Sequence, residues 1–307
     1  MAHFSQRDSA VRATARSNDW RTSAGRERTR GGKLGGAQPS LPATVPPPAV
    51  AGGGGRSGAA RSEEVRLCGL TAVRARFARD PDSIQRLFFD LATGRQVGAI
   101  SKVLAQKKKI YRCVEPVELE KVAGTMHHGG IVAVVTAKEL RVATRVELTG
   151  WARQREALLV LDRVGNAHNL GAIARTAAFF GVARIIIPED PAAAKPNDAA
   201  YRVSEGGLEQ LEVWQVPKLG AFVRELAAAG YEVVGAATRG GRLDHGPSDR
   251  RGGKPLALVL GNEEQGLASE VAAACTQLVT IPGTGRVESL NVSVAAAVLM
   301  WELWARR

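Results

Sequence analysis

Residues 256–291 read LALVLGNEEQGLASEVAAACTQLVTIPGTGRVESLN. Two apolar runs, residues 256–260 and 278–281, have strand length, and each ends in a loop of small and polar residues. The first loop, Gly261-Asn262-Glu263-Glu264-Gln265-Gly266-Leu267, brackets two carboxylates with glycines, so backbone can approach a ligand while an acid points into the same crevice. It lacks the Gly-Lys-Ser/Thr ending of a phosphate loop, which disfavours nucleoside triphosphates. The second loop runs through Pro282 and Arg286 to Ser289, Leu290 and Asn291, and feeds an apolar helix expected from Leu290 to the C-terminus. Ser289 and Asn291 are natural helix-start residues.

The same pattern extends upstream. Further strand candidates at residues 157–161, 184–187, 212–216 and 231–236 alternate with helix candidates, which predicts a mostly parallel sheet covered by helices on both faces. Such sheets bind ligands beyond the carboxyl ends of their strands. A third polar loop follows the 157–161 strand as Asp162-Arg163-Val164-Gly165-Asn166-Ala167-His168-Asn169-Leu170-Gly171. Asn169 is expected to cap the next helix, with Arg175 about one and two-thirds turns deeper among Ile173, Ala174, Ala177 and Phe179. This stretch also suggests a common nucleotide-fold methyltransferase, with Glu189 or Asp190 on ribose hydroxyls. The missing Gly-x-Gly-x-x-Gly weakens that alternative.

Toward the N-terminus, residues 67–135 alternate between an amphipathic stretch at 69–79, a strand at 84–89, a helix at 96–107, a strand at 110–114, a short helix at 116–123 and a strand at 131–135. This predicts a small α/β domain over residues 63–136, a polar linker over 137–154, and the larger domain over 155–307. Residues 1–62 hold ten Gly and five Pro with ten basic against three acidic groups, the composition of a disordered basic arm. Of the net charge of +12, the arm carries +7, residues 63–136 carry +4 and the rest only +1. A polyanionic partner follows, nucleic acid before lipid. No run of residues is apolar enough for a membrane helix, and three widely spaced cysteines (Cys68, Cys113, Cys275) argue for reduced thiols, so a cytoplasmic protein is expected. Adjacent His127 and His128 lack a third ligand nearby and read as a turn rather than a zinc site. Lys107 to Lys109 read as a solvated face, with phosphate contact as the alternative.

Taken together, Asn169-Leu170-Gly171 with Arg175, Gly261-Asn262-Glu263 with Gly266-Leu267, and Ile281-Pro282 with Ser289-Leu290-Asn291-Val292 resemble the three motifs of the SpoU/TrmH family of ribose methyltransferases, in the SPOUT superfamily. The likeness is nearest to members described only as tRNA/rRNA methyltransferases, and the 67–135 stretch resembles that family's ribosomal-protein-like substrate-binding domain. The resemblance implies an α/β fold whose C-terminal parallel sheet carries a trefoil knot, a homodimer, and S-adenosyl-methionine held by Gly261, Ile281, Leu290 and Thr238. It implies a catalytic end of Asn169, Arg175, Glu263, Ser289 and Asn291, acting on a ribose 2′-hydroxyl in rRNA or tRNA. No metal is implied. A guanidinium stays protonated at neutral pH, so Arg175 is expected to clamp a phosphate and steady the developing alkoxide, with Glu263 orienting Arg175 or Asn291. The alternative is a non-catalytic RNA-binding or ribosome-assembly factor that kept the fold. Binding of S-adenosyl-methionine separates the two.

Overall fold

The computed structural model describes residues 63–241 and 253–305; the expected arm over residues 1–62 lies outside them. The chain first builds β1 (Glu64–Cys68), α1 (Leu70–Arg79), β2 (Ile84–Phe89), α2 (Leu91–Gly94), α3 (Gly98–Gln106), β3 (Ile110–Cys113), α4 (Pro116–Ala123) and β4 (Ile131–Thr136). These strands form a four-stranded sheet in the order β1-β4-β2-β3, antiparallel except for the β2–β3 pair. β1 was not foreseen in the sequence. Its Val65 and Leu67 are buried while Glu64 and Arg66 alternate outward, the period-2 pattern of a half-buried strand.

The second sheet begins with β5 (Arg141–Val142), followed by α5 (Arg145–Arg153), β6 (Leu158–Leu161), α6 (Ala167–Phe179), β7 (Arg184–Pro188), α7 (Asp198–Ser204), α8 (Gly207–Gln210), β8 (Glu212–Val216), α9 (Leu219–Ala228), β9 (Glu232–Ala236), β10 (Leu256–Leu260), α10 (Ser269–Ala274), β11 (Gln277–Val279) and α11 (Val292–Met300). Seven strands pair in the order β11-β9-β10-β6-β7-β8-β5, and every pairing is parallel. β10 lies between β9 and β6, so the loops after β6, β9, β10 and β11 share the carboxyl end of the sheet.

Alternation assigns the two faces. Leu159, Leu161, Leu256, Leu258, Leu260, Ile185 and Ile187 join α6 and α11 in one core, whereas Leu158, Val160, Ala257, Val259 and Ile186 meet α5, α9 and α10 in the other. The expected parallel sheet with helices on both faces is therefore present, but residues 137–154 are no linker: β5 pairs with β8, and α5 buries Leu148 and Trp151 in the second core. The first core continues into the four-stranded unit through Val65, Leu67 and Val73.

A charged group sits at that junction. Arg76 of α1 is fully buried and bonds Glu209 of α8 bidentately, Nε to Oε2 at 2.8 Å and Nη2 to Oε1 at 2.7 Å. Burial opposes the charge on Arg76, but its bonds with Glu209 prevail and raise its pKa. Tyr201, which accepts from Arg76 Nη2, has its hydroxyl pushed up to about 12 by the same burial. At the edge of the four-stranded sheet, Asp198 of α7 accepts from the Arg66 backbone N at 2.8 Å and its Nη1 at 2.7 Å. α7 thereby covers the open side of β1.

Candidate active site

The site is assembled at the carboxyl ends of β6, β9, β10 and β11. After β10, Asn262 and Gly266 exchange backbone bonds of 3.1 and 2.9 Å, and the Asn262 side chain accepts from the backbone N of Glu264 and of Gln265. The turn is so tight that a Cβ on Gly261 would lie 2.5 Å from the backbone N of Leu267, so glycine is required there. The loop after β6 grips this turn. Arg163, at φ 57°, donates to Gln265 Oε1 at 2.7 Å and to the Gly266 carbonyl at 3.0 Å, while its own carbonyl accepts from Asn262 at 3.2 Å. Buried Asp162 accepts from the backbone N of Ala268 at 2.5 Å. Asp162, Arg163 and Asn262 had no role assigned from the sequence. Their signal was their place directly after the strand ends.

The gripped turn presents Glu263 to Asn169. Asn169 Nδ2 donates to Glu263 Oε1, and Asn169 Oδ1 accepts from Asn291 Nδ2 at 3.1 Å. Three loops far apart in sequence thus converge on one amide that is only 9% exposed. The expected capping is corrected: Asn166, not Asn169, caps α6 by accepting from His168 N at 2.8 Å, which leaves the Asn169 amide free to join the cluster. Asn291 does both jobs, capping α11 through Oδ1 while its Nδ2 reaches Asn169. α11 accordingly starts at Val292 rather than Leu290.

Arg175 is elsewhere. It pairs with Glu205 at 2.8 Å, with more than half of its side chain exposed, and Glu263 orients Asn169 rather than Arg175 or Asn291. His128 Nδ1 accepts from Gly130 N at 3.1 Å, as a turn residue does, and Lys107 pairs with Asp82.

Beside the cluster lies a cavity of about 200 Å³ whose walls include Thr238, Gly261, Glu263, Ile281, Ser289 and Leu290. All four residues expected to hold a cofactor line it. Gly261, Gly266, Gly283 and Gly285 put bare backbone on the wall, and Ala237 N donates to the Val279 carbonyl at 2.8 Å. Leu260, Val279, Val292 and Leu299 supply apolar surface for a flat ring, and Glu263 supplies a negative charge near its rim. That combination suits a purine nucleoside carrying a cationic group. Among the described residues no cluster of His, Cys, Asp and Glu could hold a metal, and no helix is long and apolar enough to cross a membrane.

Comparisons with known proteins find relatives for both parts of the chain. Residues 156–301 match the SpoU rRNA Methylase family, and residues 66–141 match the RNA 2′-O ribose methyltransferase substrate-binding domain. The chain is 36% identical, over 76% of its length and 88% of the relative's, to the 23S rRNA (guanosine-2′-O-)-methyltransferase RlmB of Nitrosomonas europaea. It is 32% identical, over 80% of its length and 69% of the relative's, to the uncharacterized tRNA/rRNA methyltransferase YfiF of Escherichia coli O157:H7. Among solved structures, the AdoMet-bound rRNA methyltransferase from Sinorhizobium meliloti superposes with a TM-score of 0.61 at 25% identity, covering 78% of this chain and 86% of that one. With its fold, its three converging loops and its relatives in agreement, the chain belongs to the SpoU rRNA methylase family.

Proposed function

We propose that the protein methylates a ribose 2′-hydroxyl in ribosomal RNA, working in the cytoplasm as a knotted homodimer. The observation that carries the reading is the convergence of Glu263, Asn169 and Asn291 beside a backbone-walled cavity. Two RNA-methyltransferase relatives and an AdoMet-bound neighbour support it, and the relative named for 23S rRNA favours rRNA over tRNA. Domain roles follow the two family matches, the four-stranded unit receiving RNA and the unit built on the seven-stranded sheet carrying out the transfer.

S-adenosyl-methionine, when bound, supplies a sulfonium methyl group open to in-line attack. Thr238, Gly261, Ile281 and Leu290 would hold it, mostly through backbone and apolar contact. The sulfonium charge disappears during transfer, so alignment and exclusion of water matter more than stabilising a new charge on the leaving sulfur. Orientation of this kind contributes on the order of 7 to 11 kcal/mol in favourable cases. Glu263 and Asn291 fix Asn169 from its two amide ends, and Ser289 stands on the cavity wall to steady the ribose. Arg175 clamps a phosphate next to the target ribose through its guanidinium, and the proton that the ribose hydroxyl loses on methyl transfer leaves to solvent.

The homodimer is argued from one exposed apolar face. Phe179 at the end of α6 is 83% exposed, and beyond it lie Phe180, Val294 and Val298 of α11, and Trp301 just after α11, the last 56% exposed. A patch of this kind rarely stays uncovered. Arg175 lies one turn before Phe179 on the same helix face, at the seam of such a dimer.

The test is transfer of radiolabelled methyl from S-adenosyl-methionine to rRNA taken from a strain lacking the gene, with the modified nucleotide mapped. A deletion strain that keeps every ribose methylation of the parent would rule the reading out.

A further inference from the structure

The turn joining α7 to α8 is where the four-stranded unit and Arg175 approach one another. Glu205 occupies the left-handed region at φ 45°, followed by Gly206 at φ 91°. A Cβ on Gly206 would lie 3.3 Å from Ala72 Cα in α1, and a Cβ on Gly207 would lie 2.7 Å from Arg175 Cα in α6. The turn is therefore wedged between two helices with only backbone thickness to spare. Two residues further on, Glu209 is held from the four-stranded side by Arg76, while Arg79 Nη1 donates to its carbonyl at 2.7 Å and Lys138 Nζ to its Oε2 at 3.1 Å. On the other side, the Glu205 carboxylate takes the Arg175 guanidinium at 2.8 Å.

Position 205 is one where glycine would be free of backbone strain, and the next two residues are glycines. A carboxylate in a left-handed conformation points to a use for its side chain. A guanidinium has five donors, so one edge can rest on a carboxylate while the other receives a phosphate. We propose that Glu205 is a positioning residue for Arg175, and that the Arg76–Glu209 clamp holds its turn in register, so that docking of the four-stranded unit and the aim of Arg175 are set together. This rests on the reading of Arg175 as the phosphate clamp.

The decisive variant is Glu205→Gly, which removes the carboxylate and relieves the backbone. A merely structural turn residue would be replaced without loss, and Tm would hold or rise. If Glu205 positions Arg175, kcat toward rRNA falls about tenfold, as for a lost orienting contact, while the Kd for S-adenosyl-methionine and Tm stay at or above wild type. Glu205→Asp, which tolerates the same backbone, recovers most of the rate. For the clamp, Arg76→Met with Glu209→Met avoids leaving one buried charge unpaired, and kcat is expected to fall while cofactor binding persists. Wild-type kcat in Glu205→Gly, alongside an inactive Arg175→Ala, overturns the proposal and leaves the role of Arg175 standing. Wild-type kcat in Arg175→Ala overturns both.

Discussion

In the first turn of α6, Asn169 donates to one loop and accepts from another, so neither end of its amide can be removed without freeing a partner. Asn169→Ala is expected to lower kcat by about 10²-fold, the scale of a misplaced reacting group, with the fold intact by circular dichroism. Gly261→Ala acts differently, because the added methyl meets the backbone at Leu267, which has no rotamer to yield. It should weaken S-adenosyl-methionine binding at least tenfold by calorimetry and cost about 1–3 kcal/mol of stability, as overpacking does. Thiol chemistry offers a check on burial. Burial pushes the Cys275 thiol up to about 11 and raises that of Cys68, while Cys113 stands exposed. Iodoacetamide should label Cys113 first in the folded protein, and equal labelling of all three would contradict the packing. At this scale the sequence pointed to Asn169, Glu263 and Asn291 but not to how they pair, and Asp162, Arg163 and Asn262 went unassigned. Asn166 and Asn169 both suit a helix start, and only the three-dimensional approach of Glu263 and Asn291 tells capping from clustering.

Among the elements, the central strands β6 and β10 were readable because their apolar residues form uninterrupted runs, as expected for strands covered on both faces. β1 and β5 were not, because both are edge strands: one alternates charge with apolar residues, and the other has only two residues. α5 begins with a capping box in which Thr144 accepts from Val146 N and Glu147 answers the Thr144 backbone N at 2.9 Å. Bonding to Thr144 holds the Glu147 carboxyl below its usual range. Its stabilising contribution is therefore present above the ordinary carboxylate pKa and fades as pH falls through the lower folded value. Thr144→Ala should cost about 1 kcal/mol in denaturant melts at neutral pH. The α6–α11 face makes a separate prediction. Phe179→Asp combined with Trp301→Glu should shift sedimentation from dimer to monomer, and an unchanged sedimentation coefficient would remove this face from the interface.

For the whole molecule, charge and chemistry are divided along the chain. Residues 137–307 carry a net charge of only +1, while the first 136 residues hold the remaining +11. Deleting residues 1–62 should flatten the salt dependence of RNA binding and leave cofactor affinity unchanged. An identical salt slope would show that the arm's ten basic residues do not meet phosphate. The junction between the two sheets was wholly illegible in the sequence. Arg76 and Glu209 lie 133 residues apart, and nothing in either neighbourhood announces a buried partner.

The placement of β10 between β9 and β6 also bears on how the protein is born. β6 and β9 cannot close against each other, because their common neighbour is synthesised after both, and Asn291 arrives later still. A chain emerging from the ribosome therefore lacks this cavity until residues 256–291 have been made. Stalled nascent chains ending before residue 256 should fail to bind S-adenosyl-methionine, and the slow step in refolding should be the late seating of this strand, a contact of high sequence separation.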